Sequence, residues 1–174
     1  MVAHPRVTPC LIFSAAPRLM TLASLLTPDR VIPAMRATEH WPAIVELIDG
    51  LIEAGAFPSG GREEILEAFR RREDLRSTGV GVGIAIPHAF SDRITEVTAV
   101  FGRSREGIEF DAADGVPVRY VVLFIVPRAE YSQHLAVLGA IAKTLNNPEI
   151  RQQLAGAADA EEISDILELK TARV

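Results

Sequence analysis

Cysteine is almost missing from this chain: Cys10 is the only one in 174 residues. A single thiol leaves no intrachain disulfide, no CxxC redox pair and no cysteine zinc cluster, which predicts a reducing compartment, the cytoplasm. Long hydrophobic runs are missing too. The longest uninterrupted one is Tyr120 to Val126, whereas a membrane-spanning helix needs about 20 residues, so no membrane insertion is expected. Positive charge is in deficit, with 18 Lys and Arg against 23 Asp and Glu and a net charge of −5. Such a chain repels phosphate backbones unless it gathers a basic patch, so no nucleic-acid partner is expected. A partner with a basic face, or a small anion held by backbone dipoles, stays open.

Catalytic signatures are equally sparse. There is no GxSxG elbow, no GxxxxGK[ST] phosphate loop and no HExxH. The glycines at 79, 81 and 83 do not complete GxGxxG, because position 84 is Ile. The four histidines, at 4, 40, 88 and 134, stand at no ligand spacing to one another, so neither a metal site nor a cofactor is expected.

Hydrophobic residues make up 48% of the chain, enough apolar surface for a packed core. The length fits one domain. Residues 1–19, with prolines at 5, 9 and 17 around Leu11, Ile12 and Phe13, are too broken for a signal peptide and read as a loose N-terminal extension. Met20 is an alternative start. Residues 20–174 contain no repeat and read as one compact unit.

Val31 and Ile32 form a short strand in this reading. Trp41 to Ala54 places Ile44, Ile48, Leu51 and Ile52 at helical spacing, with Gly55 as a stop. Gly60-Gly61 is a loop, and Arg62 to Arg72 is a second amphipathic helix. A glycine-rich passage from Thr78 to Gly83 runs into Ile84-Ala85-Ile86-Pro87-His88. Ile94 to Gly102 alternates as a strand, and Asp114-Gly115 is a turn. Val118 to Val126, β-branched and bounded by prolines, predicts a central strand buried on both faces. Ser132 would cap a helix over 133–145 with Leu135, Leu138, Ile141, Ala142 and Leu145 buried. Asn147-Pro148 starts another, and Asp159 with Glu162 opens the last. The order is not strict βαβ alternation, so the predicted fold is α/β with a mixed β-sheet flanked by helices, an α/β sandwich.

His88 is the sharpest feature. It follows an apolar strand-like segment, a proline and three close glycines, which let backbone N–H groups approach whatever it carries. That placement predicts an imidazole exposed at a strand end, a nucleophile at neutral pH; a structural histidine at a turn is the alternative. His134 falls in the first turn of its helix, where free N–H groups favour anions. It is also spaced as a packing histidine. A reactive imidazole needs a neighbour that stabilises the anion it acquires, which links the two. The run Arg70-Arg71-Arg72 reads as a solvated helix end.

The run Arg72-Glu73, then Ser77-Thr78-Gly79-Val80-Gly81-Val82-Gly83-Ile84-Ala85-Ile86-Pro87-His88-Ala89, resembles the phosphorylation-site signature of enzyme IIA proteins. These belong to the bacterial phosphoenolpyruvate-dependent phosphotransferase system, in its fructose/mannitol/nitrogen-regulatory branch. The similarity continues through Phe110-Asp111-Ala112-Ala113-Asp114-Gly115-Val116-Pro117-Val118 and His134-Leu135, over nearly all of Met20 to Leu169. It implies that His88 accepts a phosphoryl group from the phosphocarrier HPr, or its nitrogen-branch relative, and passes it to a cysteine of an enzyme IIB. It further implies that His134 sits beside His88, that Arg72 matches the family's active-site arginine, and that Gly79, Gly81 and Gly83 shape the phosphoryl loop.

Two positions depart from the pattern. Val82 stands where an asparagine is common, and Ala89-Phe90 where many relatives have glycine and a basic residue. The leading expectation is a free-standing phosphocarrier for sugar uptake. Two alternatives stand beside it: a nitrogen-branch regulator of kinases or transporters, towards which the Phe-Asp-Ala-x-Asp stretch leans, and a binding module that is never phosphorylated.

Overall fold

In the computed structural model, residues 22–171 are described; the expected extension over 1–19 lies outside them. Helix α1 (Leu22–Leu25) leads through a 3-10 turn to β1 (Val31–Ile32), followed by α2 (His40–Glu53) and α3 (Arg62–Leu75). Strands β2 (Gly79–Gly81), β3 (Ile84–Ala85), β4 (His88–Ser91), β5 (Thr98–Ile108) and β6 (Val118–Pro127) come next. Helices α4 (Tyr131–Leu145), α5 (Pro148–Gly156) and α6 (Ala160–Thr171) close the chain.

The strands form one mixed sheet in the order β1-β5-β6-β3-β2, with β4 also pairing with β6. β5 and β6 are antiparallel, while β1 on β5 and both β3 and β4 on β6 are parallel. The expected central strand is β6. Its side chains alternate between two cores, Tyr120, Val122, Phe124 and Val126 on one face and Val121, Leu123 and Ile125 on the other. α1, α4, α5 and α6 supply the first core and α2 and α3 the second. This is the predicted α/β sandwich, with each helix layer covering one sheet face.

Local expectations hold where a side chain acts on its own backbone. Gly55 ends α2 with φ 69°, Asn147 Oδ1 accepts from Glu149 N at 2.9 Å, and Asp159 Oδ1 accepts from Glu162 N at 3.0 Å. Elsewhere the structure corrects the reading. Gly60-Gly61 belongs to a 3-10 turn over Ser59–Gly61, and α3 runs three residues past Arg72. The strand expected over 94–102 is β5, shifted onward because pairing with β6 begins at Thr98 opposite Ile125. It continues past Gly102 through Arg103 to Ile108. Arg103 is 2% exposed; its Nε donates to the Pro33 carbonyl at 2.8 Å and its Nη1 to those of Leu154 and Ala157 at 2.6 and 2.7 Å, while Nη2 is buried without a partner.

Ser132 is not a cap. α4 begins at Tyr131 after a 3-10 turn over Arg128–Glu130, and no side chain caps it. Its buried residues are Val137, Ile141, Thr144 and Leu145, while Leu135 is 66% exposed. The stripe therefore runs from His134 through 137, 138 and 141, and it puts the histidine, not the leucine, against the sheet.

Candidate functional site

β3 and β4 lie end to end along β6, separated by Ile86 and Pro87. Proline has no N–H to give the ladder, but its carbonyl accepts from Phe124 N at 3.1 Å, and the chain re-enters the sheet at His88. The histidine thus opens a strand and is half-buried, not exposed at a strand end as expected.

Both ring nitrogens are engaged. Nδ1 lies 2.9 Å from the Ile86 carbonyl, and Nε2 receives Arg72 Nε at 3.1 Å. A guanidinium only donates and a carbonyl only accepts, so the two partners demand the same tautomer, with the proton on Nδ1 and the lone pair on Nε2. Burial pushes the His88 pKa below its ordinary value. The Ile86 carbonyl opposes this, and Arg72 and His134 add to it. The ring is neutral at neutral pH and presents Nε2 as a nucleophile.

α4 brings His134 to a ring-centroid distance of 4.7 Å from His88. Neither of its ring nitrogens has a hydrogen-bond partner, although both are buried. Phe90, Phe124 and Tyr131 surround it at centroid distances of 5.4 to 5.8 Å, and Phe90 stacks on Tyr131 at 5.5 Å. Burial, and then Arg72, lowers its pKa as well. A buried polar atom without a partner is costly, and the arrangement leaves both ring nitrogens able to bond a group that enters beside them.

The rings and Arg72 line a hollow of about 610 Å³ between α3, β4 and the start of α4. Its charged lining residues are Arg71, Arg72 and Arg128, with no carboxylate among them, a concentration of positive charge in an acidic chain. A larger concavity, about 1010 Å³ beside α2 and β1, holds neither histidine. Among the described residues, no three His, Cys, Asp or Glu side chains are placed to share a metal ion. Nor is any helix among them long and apolar enough to cross a membrane.

Of the expected site residues, the structure brings His88, Arg72 and His134 together. It does not bring Gly81 and Gly83 to them. Ile84 pairs with Tyr120 and His88 with Phe124, four residues or about 13 Å further along the strand. Instead Gly81 and Gly83, at φ 97° and 78°, turn the β2–β3 hairpin. The neighbouring Val82 N donates to Asp114 Oδ2 at 2.8 Å. Gly79 packs against Ala112, where a Cβ would come within 2.8 Å of its Cα, and its N–H donates to Ser77 Oγ at 3.1 Å.

Sequence reasoning missed the aromatic surround of His134, the part played by Arg71 and Arg128, and the buried pair His40 and Glu73 behind the site. For Glu73 the signal was its place directly after Arg72. For Phe90 it was its departure from the family pattern beside His88, while His40 and Tyr131 carried none.

The family model for "Phosphoenolpyruvate-dependent sugar phosphotransferase system, EIIA 2" matches residues 24–170. A fructose-specific EIIA component of Haloferax volcanii is 38% identical over 125 residues, covering 72% of this chain and 80% of that protein. A nitrogen regulatory protein of Bradyrhizobium diazoefficiens is 30% identical over 153 residues, 88% of this chain and 98% of that one. Among solved structures, the nitrogen regulatory protein IIA-Ntr of Neisseria meningitidis superposes with a TM-score of 0.75 at 32% identity, over 83% of this chain and 97% of that one.

Proposed function

The chain belongs to the EIIA 2 family of phosphocarriers of the phosphoenolpyruvate-dependent sugar phosphotransferase system, and from that premise we propose that Nε2 of His88 is the atom that carries the phosphoryl group. The observation behind this is the tautomer: Ile86 and Arg72 together leave the lone pair on Nε2, facing the arginine-lined hollow.

The donor is a phosphohistidine of HPr or of its nitrogen-branch relative. His88 Nε2 attacks phosphorus as the donor's N–P bond breaks, and the donor imidazole leaves with that electron pair. The His88 ring keeps its Nδ1 proton and gains positive character, which the Ile86 carbonyl stabilises. Arg72 moves from the lone pair to the phosphoryl oxygens. His134 supplies an N–H, since a neutral imidazole always has one to donate. Phosphoryl transfer relies mainly on positioning and on spreading negative charge over fixed donors, and these side chains supply both. In the second step a cysteine thiolate of an enzyme IIB attacks phosphorus, the N–P bond breaks and His88 returns to its neutral form.

The same phosphohistidine also serves a second reading, a switch that controls partner proteins such as kinases or transporters; the similarity to nitrogen regulatory proteins along most of the chain favours it. Mass spectrometry at alkaline pH, after incubation with phosphoenolpyruvate, enzyme I and HPr, tests the proposal. One phosphoryl group mapped to His88 and absent in His88→Ala is expected. No label on this chain, beside a control protein that does label, overturns the carrier reading and leaves a binding module. Chasing the labelled protein with enzyme IIB then separates relay from switch.

A further inference from the structure

Behind His88 lies a second histidine that phosphoryl chemistry does not use. His40 stands at the start of α2, packed on Phe110 at a centroid distance of 4.0 Å. Its Nε2 is 2.9 Å from Glu73 Oε2. Glu73 follows Arg72 on α3, and its side chain is 6% exposed. Its carboxylate also receives Thr78 N at 3.0 Å and Thr78 Oγ1 at 2.7 Å. The Thr78 carbonyl accepts from Ile86 N at 3.0 Å, and the Ile86 carbonyl is the acceptor for His88 Nδ1.

These contacts form one chain: His40 to Glu73, Glu73 to Thr78, Thr78 to Ile86, Ile86 to His88. We propose that His40 is a positioning residue that acts through Glu73 and Thr78 to hold the Ile86 carbonyl where it fixes the proton of His88 on Nδ1, and so keeps Nε2 as the nucleophile. A buried carboxylate needs its acceptor sites filled, and His40 bonds the same oxygen, Oε2, that receives the Thr78 N–H. Without it, Glu73 turns towards water and the Thr78 peptide loses its anchor. The hairpin itself stays folded, because Ser77 Oγ is held separately by the Phe110 carbonyl at 2.7 Å. The proposal rests on His88 being the phosphoryl acceptor only for its consequence; the tautomer is a property of the unphosphorylated chain.

The test uses the full chain with ¹⁵N-labelled histidine, in wild type, His40→Ala, His40→Gln and Glu73→Gln. Long-range ¹H–¹⁵N spectra read the His88 tautomer, single-turnover labelling reads the rate, and thermal melting reports folding. The Nδ1–H tautomer in wild type is expected to give way to a mixture in His40→Ala and Glu73→Gln, with labelling slowed by up to about 10²-fold, the scale of a reacting group held out of line. His40→Gln, whose amide can still donate to Glu73, restores both. An unchanged tautomer in folded His40→Ala overturns the proposal, whatever happens to the melting temperature. So does a loss of tautomer that His40→Gln fails to rescue. If wild type shows a single tautomer but never labels, the carrier reading falls while the relay stands.

Discussion

Arg72 Nε donates to His88 Nε2 over 3.1 Å, so in the resting protein the arginine occupies the lone pair that must attack. Its Nη1 is meanwhile tied to the Arg76 carbonyl at 3.0 Å. The guanidinium is both a guard on the nucleophile and a donor already beside the place where phosphoryl oxygens arrive. A lysine offers a point charge without the fork that reaches both. Arg72→Lys should label at His88 more slowly by about 10²-fold, the scale of losing one aimed donor at developing charge. The melting temperature should stay within a few degrees. Rapid-quench labelling checks it, and a rate equal to wild type would remove Arg72 from the transfer step.

Acid should weaken the fold through the two site histidines. Burial lowers both of their pKa values in the folded protein, so the unfolded chain binds their protons more tightly. Their contribution is then complete above the unfolded value, about 6.5, and is lost as pH falls through the lower folded values. Denaturant midpoints should drop between pH 7 and pH 5, and less so in His88→Gln. Phosphoryl acceptance should stay level from pH 8 to about 6.5, because Nε2 keeps its lone pair across that range. An acceptance rate that halves near the ordinary histidine value would contradict the buried, neutral ring.

Val82 holds φ 49° with a β-branched side chain that is 54% exposed. A left-handed conformation costs an L-residue about 1–2 kcal/mol, and here the bond from the Val82 N–H to Asp114 Oδ2 at 2.8 Å holds it. Val82→Asn should therefore stabilise the protein by about 1 kcal/mol, as a higher melting temperature, with phosphorylation unaffected. The hairpin turn lies beyond Ile84, which is itself about 13 Å along the strand from His88, and this separates the departure from the family pattern from the chemistry.

What the sequence discloses is what one segment decides for itself. The prolines at 117 and 127 bound β6, Asn147 caps α5 through its own side chain, and Asp159 with Glu162 opens α6. Arg103 shows the limit. The strand expected to close at Gly102 runs on through it, because its partners are carbonyls at 33, 154 and 157, brought together only by the fold. The α4 stripe fails for a related reason: Leu135 and His134 are adjacent, hydropathy favours the leucine, and tertiary packing turns the helix so that the histidine faces the sheet. At the site, the resemblance located His88, Arg72 and His134. The His40–Glu73 pair spans 33 residues and has no local trace. The resemblance implies that the glycines shape the phosphoryl loop, whereas an extended strand separates Gly81 and Gly83 from His88 in space.

Arg103 also carries a stability prediction. It caps the carbonyls of Leu154 and Ala157 at the end of α5 and joins them to Pro33, before β5 begins. Arg103→Met keeps much of the side-chain volume and removes every donor, leaving the buried Leu154 and Ala157 carbonyls and the part-buried Pro33 carbonyl without it, while relieving the unpartnered Nη2. Each buried loss costs about 1–3 kcal/mol, so the variant should lose about 2 kcal/mol in a urea titration. The fraction that stays folded should label at His88 as wild type does.

His134 gives the sharpest opposition between stability and function. Its ring lies on the buried stripe of α4, between Phe90, Phe124 and Tyr131, and both of its nitrogens are buried without partners. Removing a polar group that nothing satisfies relieves a desolvation cost of about 1–3 kcal/mol, provided the space stays filled. His134→Leu meets that condition, so its melting temperature should rise. The same substitution deletes the N–H that meets the phosphoryl oxygens, and labelling at His88 should slow by about 10²-fold. His134→Ala loses the packing as well and should melt lower than His134→Leu while labelling no faster. A residue that serves only packing would show activity following stability across the two variants. A residue held unsatisfied for the phosphoryl group makes the more stable variant the slow one.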